Sequence, residues 1–191
     1  MLPPWPDLEP LRAGSVRQRE AYAALRELDV MRALAAFTPV LVGTLPLPIH
    51  TPTSDLDVIC EVHDEGAFVG AATAAFADRV ELAVARHTIR GVPATLVRFR
   101  FGGFDVELFG QPLPVAQQHA YRHLRVEARL LALAGPAAVA TLLAMRRAGL
   151  KTEPAFARWL RLPDGDPYLA VLALESRTDA ELLALLDAAA A

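Results

Sequence analysis

Apolar residues recur at roughly helical spacing from Ala21 through Leu25, Leu28 and Met31 to Leu34, and Ser15 stands ahead of them where a helix cap belongs. The pattern predicts one helix running to about Phe37. Thr38-Pro39 breaks it, and Val40-Leu41-Val42 reads as a short buried strand ending at Gly43. From Thr44 to Ser54 the chain holds Pro46, Pro48 and Pro52, which excludes both a regular helix and a central strand and predicts a stiff loop. Alternation then returns from Asp55 to Val62. Asp55, Asp57 and Ile59 share one face of that strand, with Leu56, Val58 and Cys60 on the other.

Asp64 is placed to cap a helix reaching about Ala77. Three strands follow: Val80 to Ile89, Val92 to Phe101, and, after the hairpin signal Gly102-Gly103, Phe104 to Phe109. From Pro114 onward the pattern is helical, with breaks near Gly135-Pro136, Gly149 and Pro163-Asp164-Gly165. The expected fold class is therefore α+β: a mixed β-sheet with flanking helices over residues 1–112, and a helical C-terminal region over 113–191 packed on it.

Composition narrows the function classes. Hydrophobic residues make up 53% and charged residues 21% of the 191, a globular balance and not a disordered one. The net charge of -3 leans away from long nucleic acid as a partner. The most apolar stretch, Leu130 to Met145, is split by Gly135-Pro136, so it predicts two packed helices and no membrane span. A single cysteine, Cys60, permits no internal disulfide and fits a reducing, cytoplasmic setting. The opening residues carry four prolines and two acids before any long apolar run, unlike a signal peptide. Eighteen arginines stand against one lysine, Lys151.

Two carboxylates on one face of so apolar a strand are costly unless a cation lies between them. Asp55 and Asp57 can thus hold divalent ions, Mg²⁺ or Mn²⁺, for phosphoryl chemistry. A two-metal site usually wants a third carboxylate, and Asp105 and Glu107, on one face of the later strand, are both candidates for that third metal-binding acid. Gly43 allows close approach of a phosphate to the backbone, and Thr44 adds a hydroxyl. Lys151 can reach a phosphate or stand as a solvated lysine near a helix end. Arg122 can grip a phosphate bidentately or serve in a salt bridge. His119, His123 and Glu127 fall at four-residue spacing on one helix face, a row that is more often simply polar than zinc-binding.

Val42-Gly43-Thr44, the loop, Ser54-Asp55-Leu56-Asp57-Val58 and the later apolar-acid-apolar strand resemble the nucleotidyltransferase superfamily of polymerase-beta-like proteins. Its signature is a hydrophobic-Gly-Gly/Ser turn, an Asp-x-Asp/Glu strand and a later acidic strand. The chain is more closely similar to a family of uncharacterised bacterial proteins assigned to that superfamily. That similarity runs, from about Leu41 to Tyr168, through Gly43-Thr44-Leu45-Pro46, Ser54-Asp55-Leu56-Asp57-Val58-Ile59-Cys60, Val106-Glu107-Leu108-Phe109-Gly110-Gln111, Ala120-Tyr121-Arg122-His123, Gly149-Leu150-Lys151-Thr152-Glu153 and Gly165-Asp166-Pro167-Tyr168. The resemblance implies a metal site at Asp55 and Asp57, with a third acid activating an acceptor hydroxyl. It favours Glu107 over Asp105 for that role. It also implies that Gly43, Thr44 and Ser54 handle the triphosphate of a nucleotide. The chain departs from the signature in having Thr after Gly43, and the loop's basic side chain is His50.

The expected activity is transfer of a nucleoside monophosphate from a nucleoside triphosphate to a hydroxyl acceptor: a small molecule, a nucleic-acid end or a protein. The rival expectation is a non-catalytic module on the same fold, binding a nucleotide or serving as an antitoxin-like partner.

Overall fold

The computed structural model describes residues 7–190, so the early prolines Pro3, Pro4 and Pro6, which weighed against a signal peptide, lie outside them. After a short turn of helix, α1 (Glu9–Arg12), the helix α2 (Val16–Leu28) opens with a capping box. The Ser15 hydroxyl accepts from the Gln18 backbone while the Gln18 side chain accepts from the Ser15 backbone.

The expected continuous helix to Phe37 stops instead at Asp29, whose φ of 53° is left-handed. The cause is burial. Leu28, Val30 and Leu34 are all in the core, yet residues two apart on a helix point to opposite sides. A left-handed residue between them, a conformation aspartate tolerates better than most, turns both sides inward. The chain continues as α3 (Val30–Ala33) and a 3₁₀ turn, Ala35–Phe37.

Five strands form one sheet: β1 (Val40–Val42), β2 (Leu56–Glu61), β3 (Val80–Ile89), β4 (Val92–Phe101) and β5 (Phe104–Gln111). Their spatial order is β1-β2-β5-β4-β3. Only β2 and β5 pair in parallel, because α4 (Glu65–Phe76) and the β3–β4 hairpin intervene between them in sequence. As expected, Asp64 caps α4, accepting from the Ala67 backbone.

One face of the sheet, with Leu56, Val58, Cys60, Val106 and Leu108, packs on α2 and α4. The other, with Val40, Val42 and Ile59, packs on the C-terminal helices. These are α5 (His119–Ala134), α6 (Pro136–Arg147), α7 (Thr152–Trp159), α8 (Pro167–Leu172) and α9 (Asp179–Ala190). The result is a helix–sheet–helix sandwich of α+β class, as the chain pattern predicts. Among the described residues, no helix is long and apolar enough to cross a membrane.

Helix α2 fixes the proline-rich loop. Gln18 Nε2 donates to the Leu45 carbonyl at 2.9 Å, and Ser15 Oγ bonds His50 Nε2 at 2.8 Å. Arg17 donates to the Gly103 carbonyl at 3.1 Å and lies 3.5 Å over the Phe104 ring, joining α2 to the β4–β5 turn.

Candidate active site

Parallel pairing of β2 with β5 sets Asp57 directly beside Glu107, and antiparallel pairing of β1 with β2 sets Val42 against Asp57. The chain then turns at Gly43, with φ 73°. A Cβ at Gly43 would lie 2.2 Å from Asp57 Oδ2, so only glycine lets the turn close over this carboxylate. Asp55 stands at the exposed mouth of β2, just outside the strand that begins at Leu56.

Register and side-chain partners place the two candidate third acids in different surroundings. Glu107 lines the same cavity as Asp57 and is paired with Arg98 on β4 at 2.6 Å. Asp105 is mostly exposed, holds Arg100 at 3.1 Å, and faces a smaller depression that Asp55 and Glu107 also line.

The electrostatics of Asp57 follow from that crowding. Burial, then the neighbouring charges of Asp55, Glu107 and Glu153, push its carboxyl up to about 8, against a smaller opposing pull from Arg98. A carboxyl in such surroundings ionises readily only if a cation arrives. The donors are all hard oxygens, the chemistry that suits Mg²⁺ or Mn²⁺. Among the described residues, no three His, Cys, Asp or Glu side chains converge as a preformed metal cage.

The cavity holds about 480 Å³ between the sheet and the C-terminal helices. Its floor is Asp57, Ile59, Glu107 and Phe109, with Gly43 at one end. The opposite wall brings Gln118 from the cap of α5, His119 and His123 from α5, Glu153 from α7 and Tyr168 from α8. His123 Nε2 donates to the Tyr168 carbonyl at 2.9 Å, and its Nδ1 lies 3.5 Å from Glu153. At the far end Arg90, on the tip of the β3–β4 hairpin, pairs with Asp166 at 3.0 Å.

The remaining nominated residues lie elsewhere. Thr44 and Ser54 are buried and bond each other at 3.2 Å, and Ser54 Oγ also accepts from the Thr51 backbone at 2.9 Å, so both hydroxyls are spent closing the loop. Lys151 is exposed at the start of α7 and does not line the cavity. Arg122 pairs with Glu175 at 2.7 Å, tying α5 to the turn after α8. Sequence reasoning missed Arg90, Gln118, Glu153 and Tyr168. Glu153 and Tyr168 stand within the similarities Gly149–Glu153 and Gly165–Tyr168 but carry no role there, because each lies on an element far along the chain from the Asp-x-Asp strand.

Residues 23–174 match the family described as Domain of unknown function (DUF4269). The chain belongs to this family. No curated protein matches it. Among solved structures, the Cid1 poly(U) polymerase with Mg 3′-dATP bound shares 13% identity and a TM-score of 0.51, over 80% of this chain and 46% of that one. The polymerase core of TRAMP, an RNA surveillance complex, shares 13% identity and a TM-score of 0.50, over 93% of this chain and 58% of that one. This member of the family therefore has the fold of nucleotidyltransferases, and it spans about half the length of the polymerases it resembles.

Proposed function

We propose that the chain is a metal-dependent nucleotidyltransferase, with residues 1–112 forming the catalytic core and residues 113–191 forming the wall that closes the cleft. The observation that carries this reading is the in-register pair Asp57–Glu107, partly buried beneath the Gly43 turn and open to a cavity of nucleotide size. The fold relatives add support, since the Cid1 poly(U) polymerase binds Mg 3′-dATP.

Asp55 and Asp57 would hold Mg²⁺ or Mn²⁺ together with the phosphates of a nucleoside triphosphate. When bound, the ion supplies neutralisation of polyphosphate charge. Gly43 admits the phosphates past the backbone. The acceptor oxygen attacks the α-phosphorus, its proton passes to Glu107, and the bond from the α-phosphorus to the bridging oxygen breaks, releasing pyrophosphate. Arg98 positions Glu107 for that proton.

Pyrophosphate release from the four nucleoside triphosphates, with pools of hydroxyl acceptors, tests the assignment. Glu107→Gln should lower turnover by about 10²-fold or more while leaving nucleotide binding in place, and Asp105→Asn should stay within a few-fold of the parent. Equal losses in the two variants would remove Glu107 from its role.

A further inference from the structure

Arg90 stands at the tip of the β3–β4 hairpin, on the sheet side of the cleft, and Asp166 caps α8 on the helical side. A side chain that joins them at 3.0 Å crosses from one wall toward the other, which puts the guanidinium at the far end of the cavity. It can be reached there, being 43% exposed. The contact to Asp166 uses Nη2 alone, and Nε and Nη1 have no hydrogen-bond partner among the described residues. Asp166 takes one hydrogen of Nη2 and the second stays beside an unpaired neighbour, so a pair of parallel N–H donors remains.

The two ends of the cleft differ in chemistry. Among the described residues that line it, Arg90 alone is an arginine or lysine. The nearby His119 adds no second fixed charge: burial first, and the charge of Arg90 next, lower its imidazole and favour the neutral form. Asp57 and Glu107 mark the other end. Val92, where β4 begins, is six residues from Arg98, the residue opposite Glu107, so the hairpin tip lies about 20 Å along the strand from the acid pair. The floor between is apolar, formed by Ile59 and Phe109. A nucleotide held by its phosphates at Asp57 extends its base over that floor toward the tip, and the long arginine side chain covers part of the remaining gap.

A guanidinium only donates, so it reads acceptors. On the edge that a base turns to the major groove, guanine alone offers two, O6 and N7; adenine and cytosine present an amino donor there, and uracil a single oxygen. We propose that Arg90 reads the nucleobase in this cleft and selects guanine, its free donor pair bonding O6 and N7 while Asp166 keeps the other Nη2 hydrogen. The inference rests on the reading of the cleft as a nucleotide site and adds which base that site takes.

Calorimetry on the full chain in Mg²⁺ would compare GTP with ATP, CTP, UTP and 7-deaza-GTP, the last lacking only the N7 acceptor. The parent should bind GTP about ten- to a hundredfold more tightly than the other three natural nucleotides, and 7-deaza-GTP should lose most of that margin. Arg90→Met, at an exposed hairpin tip, should bind the four natural nucleotides about equally. Asp166→Asn breaks the ion pair but keeps the guanidinium, so it should retain the preference for GTP. No margin for GTP in the parent, undiminished binding of 7-deaza-GTP, or a margin that persists in Arg90→Met would overturn the inference and leave the nucleotide site standing. An equal loss of the margin in Asp166→Asn would do the same, by making Arg90 a structural partner only. A parent that binds no nucleotide at all would overturn both.

Discussion

Asp57 is held between demands that only a cation reconciles. Its carboxyl rises to about 8 because burial and three neighbouring acids all disfavour its charge. Below that pH a metal ion must displace a proton, so affinity for Mn²⁺ should climb as pH rises toward 8, by at most about tenfold per unit, and then level off. Titrations between pH 6 and 9 would show this, and a flat profile would argue against Asp57 as a ligand. Gly43→Ala should abolish metal and nucleotide binding, since its Cβ would lie 2.2 Å from Asp57 Oδ2. Thermal unfolding should also report a loss of about 1–2 kcal/mol from forcing alanine into a positive φ. The residue motif was legible because carboxylates on an apolar strand are out of place by composition alone. The choice between Asp105 and Glu107 was open in the residues themselves, because one-residue alternation puts both on the same face. The register of β2 against β5 sets Glu107 beside Asp57, which alternation alone does not reveal. Thr44 and Ser54 look like phosphate ligands in sequence, but their hydroxyls bond each other, a pairing that depends on how an intervening proline-rich loop closes.

At the scale of elements, strands and helices were readable from period and punctuation, and the exception is instructive. Asp29 carries no proline or glycine signal; the break there comes from the need to bury Leu28 and Val30 together, a tertiary demand that helical spacing cannot announce. Helix α5 holds a second buried acid. Burial first, and Glu153 next, raise the Glu127 carboxyl well above its ordinary value, with Arg146 opposing, and its Oε1 lacks a partner among the described residues. The folded state therefore keeps this proton after the unfolded chain has lost it. Stability is fully present below the unfolded value near 4.5 and is lost as pH rises toward the higher folded one, with a slope of at most about 1.4 kcal/mol per pH unit. Glu127→Gln should raise the melting temperature at pH 7–8, leave it nearly unchanged at pH 4, and flatten the dependence between. A variant less stable at pH 8 would mean that the charge of Glu127 is needed. In sequence Glu127 joined the row His119–His123–Glu127; in the structure His119 and His123 face the cleft while Glu127 is buried among helices.

Across the whole molecule, the cleft exists only because the helical region covers the face of the sheet that bears Asp57 and Glu107. Sequence order foretold a sheet region and a helical region, yet nothing in periodicity says which sheet face the helices cover. The ion pair Arg90–Asp166 joins the β3–β4 hairpin to the start of α8 at the far end of the cleft. Arg90 has a φ of 52° beside Gly91 at 80°, a hairpin tip with both residues left-handed. Asp166→Asn should speed amide exchange in residues 86–94 and 166–172 and leave the strands β2 and β5 unchanged; unaltered exchange at the tip would show that the pair restrains nothing. The central claim, a metal-dependent nucleotide site on Asp55 and Asp57, is tested most directly by calorimetric titration of ATP, GTP, CTP and UTP with Mg²⁺ or Mn²⁺, on the parent and on Asp55→Asn/Asp57→Asn. The account predicts nucleotide binding that requires the metal and disappears in a variant that remains folded. Absence of nucleotide binding by the folded parent with either metal, or binding undiminished in the double variant, would contradict it.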